Sequence, residues 1–232
     1  MDQVQHKFVD VQGLKLHVAE VGTGPNVVVF LHGFPEIWYS WRHQMIALAN
    51  AGFRAIASFV DLITDLLTLL DALQISKVFL VAKDFGARPA YLFAILHPKK
   101  ELGRAEADCR RLDAKTVIRN IYILFSRSEI PIAAENQEIM DLVDSSTPLP
   151  LSVGKDFTIT DAKVKVPVLL IMGGKDYILK FQGMEDYIKS GNVKKVVPNL
   201  EITFLPEGTH FVQEQSPDEV NHLIFTFLGK HV

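Results

Sequence analysis

The sequence holds one cysteine, Cys109, so no disulfide can close within the chain, and a reducing, cytoplasmic compartment is the expectation. Long apolar runs are missing too. Stretches such as "VVVFL" and "PVLLIM" fall far short of the roughly 20 residues that a membrane-spanning helix requires. Neither charge sign dominates: 24 Lys and Arg stand interspersed with 27 Asp and Glu, for a net charge of −3. That balance excludes the basic surface of a nucleic-acid binder and offers nothing to an anionic membrane. The opening "MDQVQHKFVD" has neither the basic start nor the apolar stretch of a secretory signal, and "GKHV" is no recognised address. There is no internal repeat and no low-complexity tract. What is present is 232 residues with 48% apolar and 22% charged content, the composition of an ordinary globular domain with a sizeable core. A small neutral or apolar partner fits it better than a charged polymer.

Strand-type and helix-type segments alternate along the chain. Residues 6–22, "HKFVDVQGLKLHVAEVG", alternate on both sides of a Gln-Gly pair and predict a β-hairpin. "NVVVFLHG" (26–33) and "KVFLVA" (77–82) are short continuous apolar runs, the pattern of strands covered on both faces. "SWRHQMIALANAG" (40–52) has helical spacing with a serine at its start and a glycine at its end. "FRAIA" (53–57) reads as a strand, "FVDLITDLLTLLDAL" (59–73) and "ARPAYLFAILH" (87–97) as helices. "PVLLIMG" (167–173), "MEDYI" (184–188), "EITFLPEG" (201–208) and "DEVNHLIFTFLGK" (218–230) continue the alternation. Such an order implies a mostly parallel sheet between layers of helices, with functional groups at the carboxyl ends of the strands.

Asp84, Asp176 and His210 stand at such ends, after "KVFLVA", "PVLLIMGGK" and "EITFLPEGT". Their chain order, nucleophile then acid then histidine, is that of the α/β-hydrolase triad, whose nucleophile rides a tight strand-to-helix elbow. Small residues at Ala82, Gly86 and Ala87 suit that elbow, because it brings strand and helix backbones together. An aspartate nucleophile is ionised at neutral pH and can displace directly at an electrophilic carbon, leaving an ester. Histidine is then needed to deprotonate the water that attacks the ester carbonyl, with Asp176 holding its tautomer. The oxyanion formed requires preorganised donors. The Phe85 backbone N–H supplies one, and "HGFPE" (32–36) offers another from Phe34, with Gly33 permitting close approach and Pro35 stiffening the loop.

"LHGFPEIWYSWRHQM", "VAKDFGARPAYLF", "GGKDY" and "PEGTHFVQEQSPDEV" together resemble the plant-type soluble epoxide hydrolases of the α/β-hydrolase fold, over most of residues 6–98 and 156–230. The resemblance implies an α/β-hydrolase core over 1–98 and 164–232, a mostly parallel sheet flanked by helices, and a reduced helical lid over 99–163. It implies that Asp84 opens a small apolar epoxide, that His210 with Asp176 drives ester hydrolysis, and that the product is a vicinal diol. Neither metal nor organic cofactor is implied, nor any nucleic-acid or membrane partner; the chain would act as a monomer or homodimer. Pocket candidates are His32, Pro35, Trp38, Tyr39, Tyr122 and Phe211.

The chain also departs from the family pattern. After "FRAIA" an aspartate-x-arginine-glycine loop is missing, and Ala57 runs almost directly into "SFVDLITDLL". "KKELGRAEADCRRLDAK" (99–115) is too polar for the buried strand expected there. Lys83 stands where the family has histidine before its nucleophile, with its side chain expected to point away from Asp84 and to have a modest effect. The two lid tyrosines that donate to the epoxide oxygen have no clear counterpart; Tyr122 is the one tyrosine of the lid remnant, and Tyr39 lies beside "HGFPE". Loss of one such donor typically costs roughly 10²–10³ in rate.

Plainer readings stand beside these. Asp84 alone would serve as a helix N-cap, Asp176 as a turn cap and His210 as a packed strand-end residue. Trp38 and Trp41 either wall a pocket or pack in the core. "KDFGA" lacks the glycine-rich loop, strand lysine and catalytic loop of a kinase, and "VGTGP" reads as a turn. A haloalkane dehalogenase would use the same nucleophile but needs a tryptophan donor where Phe85 stands. A third reading is a non-catalytic hydrolase relative that binds small apolar ligands.

Overall fold

A computed structural model describes residues 3–11, 13–60, 62–97 and 163–232, together with the backbone of 101–107. Eight strands form one sheet: β1 (Gln5–Val11), β2 (Leu14–Val21), β3 (Val27–Leu31), β4 (Arg54–Ser58), β5 (Val78–Lys83), β6 (Glu101–Ala107), β7 (Val168–Gly173) and β8 (Leu200–Leu205). They lie in the order β1-β2-β4-β3-β5-β6-β7-β8. The hairpin and its pairing with β4 are antiparallel; every later pairing is parallel. This is the mostly parallel α/β sheet expected from the alternation of segments.

The helices follow from apolar spacing: α1 (Arg42–Asn50), α2 (Ile63–Ala72), α3 (Ala87–Leu96), α4 (Met184–Lys189), α5 (Val212–Gln215) and α6 (Pro217–Leu228). All five residues of β3 are buried, because alternate side chains feed two different cores. Val28 and Phe30 enter one with Met45 and Leu48 of α1 and Val220 and Ile224 of α6. Val29 and Leu31 enter the other with Leu66, Leu69 and Leu70 of α2 and Ala90 and Phe93 of α3. β5 repeats the pattern beside β3, so the centre of the sheet is clamped from both sides and its strand ends become a rigid platform. Ser40 does not cap α1 as its position suggests; its hydroxyl donates to Ile37 O at 3.0 Å, inside a short 3-10 turn over Trp38–Trp41.

One expectation is corrected. The segment after α3 was expected to be too polar for the sheet, yet the backbone of Glu101–Ala107 occupies the position between β5 and β7. Its ladder runs from Val78↔Glu101 to Lys83↔Ala107, with an irregularity between Val78 and Phe79. A ladder is made by backbone N–H and C=O groups, which any non-proline residue supplies, so the absence of an apolar run does not forbid it. Residues 108–162, with most of the expected lid and Tyr122, lie outside the described residues.

Candidate active site

The in-register pairs Leu31↔Ala82 and Gly173↔Leu205 close the carboxyl ends of β3 with β5 and of β7 with β8, and the parallel ladders through β6 set all four at one edge of the sheet. Asp84 follows β5 directly and sits at φ 53°, in the left-handed region that non-glycine residues enter at a cost of roughly 1–2 kcal/mol. The chain turns there into the short 3-10 segment Asp84–Gly86 and then into α3. A Cβ on Gly86 would lie 2.5 Å from Leu31 O, so only glycine lets the elbow lie against β3.

The strained elbow delivers the Asp84 carboxylate to two backbone donors. Oδ1 accepts from Phe85 N at 2.7 Å and from Phe34 N at 3.3 Å. Both donors named from the sequence therefore converge on one oxygen, and the other is left facing the histidine: Asp84 Oδ2 lies 3.5 Å from His210 Nε2. The far nitrogen of the ring, Nδ1, is 3.2 and 3.1 Å from Asp176 Oδ1 and Oδ2. Asp176 is 3% exposed, and its Oδ1 also accepts from Ile178 N at 3.0 Å, capping the turn after β7. It is both the turn cap and the partner of the histidine. Lys175 N donates to Gly208 O at 2.8 Å, which ties the Asp176 loop to the His210 loop.

The charges reinforce one another. Burial pushes the Asp84 carboxyl upward, but hydrogen bonds from His210, Phe85 N–H and Phe34 N–H outweigh it and hold the group below the usual carboxylate range. Burial likewise favours neutral His210; hydrogen bonds to Asp176 and Asp84 win and raise it to about 9, against an opposing push from the Lys83 charge. Free of any ligand, the site is an ionised aspartate facing a protonated imidazole.

The remaining candidates divide. Pro35 follows Phe34 through a cis peptide bond, and the Phe34 side chain is largely exposed while its N–H points into the site. His32 is buried with Nδ1 3.1 Å from Gly33 O and its ring against Phe59, so it braces the loop; burial lowers its pKa. Trp38 packs edge-on against His6 and joins the core rather than the site, and Tyr39 lies under the Arg42 guanidinium. Trp41 is buried against Phe30 and lines a cavity of about 40 Å³ that also reaches Asp176 and His210. Phe211 packs edge-on to His210. Tyr177, not singled out in the sequence, places its ring 4.8 Å from that of His210.

Sequence reasoning missed a buried polar group behind the elbow. Lys83 is 3% exposed, and its Nζ donates to Glu36 Oε2 at 2.6 Å. Gln213 Nε2 donates to Glu36 Oε1 at 2.6 Å, and Gln44 Nε2 to Gln213 O at 3.1 Å. The single signal available was a lysine at the end of an apolar strand, where a buried cation requires a counter-charge. Among the described residues no group of three or more His, Cys, Asp or Glu side chains is placed to hold a metal ion, and no helix is long and apolar enough to cross a membrane.

Comparison with known proteins places this geometry. No protein-family profile matches the chain. Epoxide hydrolase 3 of Siraitia grosvenorii is 29% identical, over 99% of this chain and 100% of the relative. That alignment runs over 318 positions where this chain has 232 residues, so the relative holds segments with no counterpart here. An epoxide hydrolase from Vigna radiata superposes with a TM-score of 0.77 at 28% identity, covering 99% of each chain. A variant of potato epoxide hydrolase superposes with a TM-score of 0.75 at 27% identity, covering 98% of this chain and 99% of the other. Likeness over the full length, in sequence and in fold, joins the motifs at the strand ends: the chain is similar throughout to plant epoxide hydrolases and has the fold of the α/β-hydrolase superfamily.

Proposed function

We propose that this chain hydrolyses small apolar epoxides to vicinal diols through a covalent ester on Asp84. The observation that carries the proposal is the division of labour between the two Asp84 oxygens: Oδ1 is held by Phe34 and Phe85 N–H, and Oδ2 faces His210. In the first step Oδ2 attacks an epoxide carbon, the C–O bond of the ring breaks, and its electron pair goes to the epoxide oxygen, which takes up a proton. Loss of the Asp84 charge removes one of the two anions that hold the proton on His210. The proton given up there balances the one gained by the alkoxide, which solvent supplies where His210 is replaced.

In the second step neutral His210 takes a proton from water while the water oxygen attacks Cγ of Asp84. The carbonyl oxygen, Oδ1, becomes an oxyanion between the two backbone donors already in place. Collapse expels the second alcohol, which receives the hydroxyl proton of the tetrahedral centre, and leaves Asp84 ionised and His210 protonated. Epoxide and water are consumed and a diol is formed, with the site returned to its starting charge. Asp176 keeps Nε2 of His210 aimed at the ester by binding Nδ1. The segment joining β6 to β7 is read as a shortened lid, and a cytoplasmic location follows from the lone cysteine.

The test is the intact mass of His210→Gln protein after incubation with a panel of small epoxides, with Asp84→Asn as the blank and circular dichroism as the check of folding. Blocking the second step leaves a stoichiometric adduct that maps to Asp84. A folded protein that never gains mass refutes the proposal.

A further inference from the structure

Lys83 is held more tightly than a structural ion pair on a surface would be. It is 3% exposed, its ammonium donates to Glu36 at 2.6 Å, and the same ammonium sits 4.2 Å above the ring of Phe211. Glu36 is fixed in turn by Gln213, so the cation has no freedom to swing. Phe211 follows His210 in the chain, and Lys83 lines the same cavity as His210 and Asp176. A buried charge pair costs desolvation energy that better-packed apolar residues would avoid, which makes its position beside the imidazole informative.

The charged and titratable groups around His210 form two sets. Asp84 at the end of β5 and Asp176 after β7 are anions within 3.5 Å and 3.1 Å of its ring nitrogens. Lys83 is the opposing cation, its charge partly balanced by Glu36, and the Tyr177 ring packs against the imidazole. The Glu36 charge also acts on His32, where burial outweighs it and lowers the pKa. In the resting site two anions act against one cation and the imidazole keeps its proton. Once Asp84 is an ester, one anion faces one cation.

We propose that Lys83 is a positioning residue for the hydrolytic half-reaction: its ammonium, locked by Glu36 and Phe211, drives His210 to its neutral, basic form once Asp84 is esterified. The role rests on the ester chemistry proposed above. Without Lys83, Asp176 governs the imidazole, which then holds its proton to higher pH in the ester state and accepts one from water less readily. The Lys83 charge lowers the hold of the imidazole on its proton, so its removal moves the titration upward.

The test is an NMR titration of the His210 ring in Asp84→Asn protein, whose neutral amide stands in for the ester. Adding Lys83→Met raises the titration midpoint by about one pH unit, whereas Lys83→Arg leaves it in place. Glu36→Gln lowers it, because Lys83 loses its counter-charge. Where Lys83→Met fails to fold, Lys83→Met/Glu36→Gln removes the stranded carboxylate and is compared with Glu36→Gln, again with a higher midpoint. A midpoint that Lys83→Met leaves within about 0.3 pH units of its parent overturns the proposal. The titration needs no substrate, so it separates the two claims. Absence of an adduct in His210→Gln protein refutes the ester, and an unmoved midpoint in a protein that does form the adduct refutes the role of Lys83.

Discussion

A Cβ on Gly33 would lie 2.2 Å from Asp84 Oδ1, closer than any real contact. The first loop and the elbow therefore meet only because Gly33 has no side chain, and the meeting places Phe34 N–H on the carboxylate. Gly33→Ala pushes the loop away and removes that donor. Adduct formation and ester hydrolysis should both slow by roughly 10²-fold. Global stability should change little, since the displaced contact is a side chain beside a loop. Equal single-turnover rates for Gly33→Ala and wild type would refute the role of Phe34 N–H.

Gly86→Ala is expected to act differently. Its Cβ would meet backbone rather than a side chain, 2.5 Å from Leu31 O and 2.7 Å from His32 O. Backbone in the centre of a sheet cannot step aside, so the substitution should cost on the order of 1–3 kcal/mol in urea unfolding, along with activity. A variant as stable as wild type would mean that the elbow stands farther from β3 than these distances indicate.

Asp176→Asn keeps the shape of the site but exchanges the acceptor of His210 Nδ1 for an amide. The ring can then be held in the wrong tautomer, with its proton on Nε2. Ester hydrolysis should fall by roughly 10³-fold or more while alkylation of Asp84 persists, so the adduct accumulates. Rapid-quench mass spectrometry distinguishes this from a general loss of folding, in which no adduct appears.

The parts of the site carried by local sequence were legible, and the parts carried by tertiary contact were not. Asp84, Asp176 and His210 could be read because each follows an apolar strand, and parallel strands end at one edge. Phe34 and Phe85 could be read because their role lies in backbone N–H groups next to those ends. Glu36, Lys83 and Gln213 could not: Gln213 lies 177 positions from Glu36, and no periodicity links them. Trp38 was equally ambiguous, since only the fold decides between core and pocket, and here it packs against His6. β6 was missed because its apolar pattern is weak, and the structure assigns it through backbone pairing.

The pH dependence of stability follows from the charges at the triad. His210 is raised from 6.5 to about 9 in the folded protein, so its contribution is fully present below pH 6.5 and is lost as pH rises through about 9. Asp84 is lowered, so its contribution is present above the ordinary carboxylate value of 3.8 and is lost as pH falls through the folded value. Between those limits both groups favour the folded state, and Tm should decline on the alkaline side as His210 loses its proton. His210→Gln removes the alkaline part and weakens the acid part, since His210 is among the groups that hold Asp84 down. Calorimetry of both proteins from about pH 5 to about pH 10 should show wild type losing stability above neutrality more steeply than His210→Gln. Parallel alkaline declines would mean that His210 is not protonated in the resting site, and the proton that balances epoxide opening would then have to come from elsewhere.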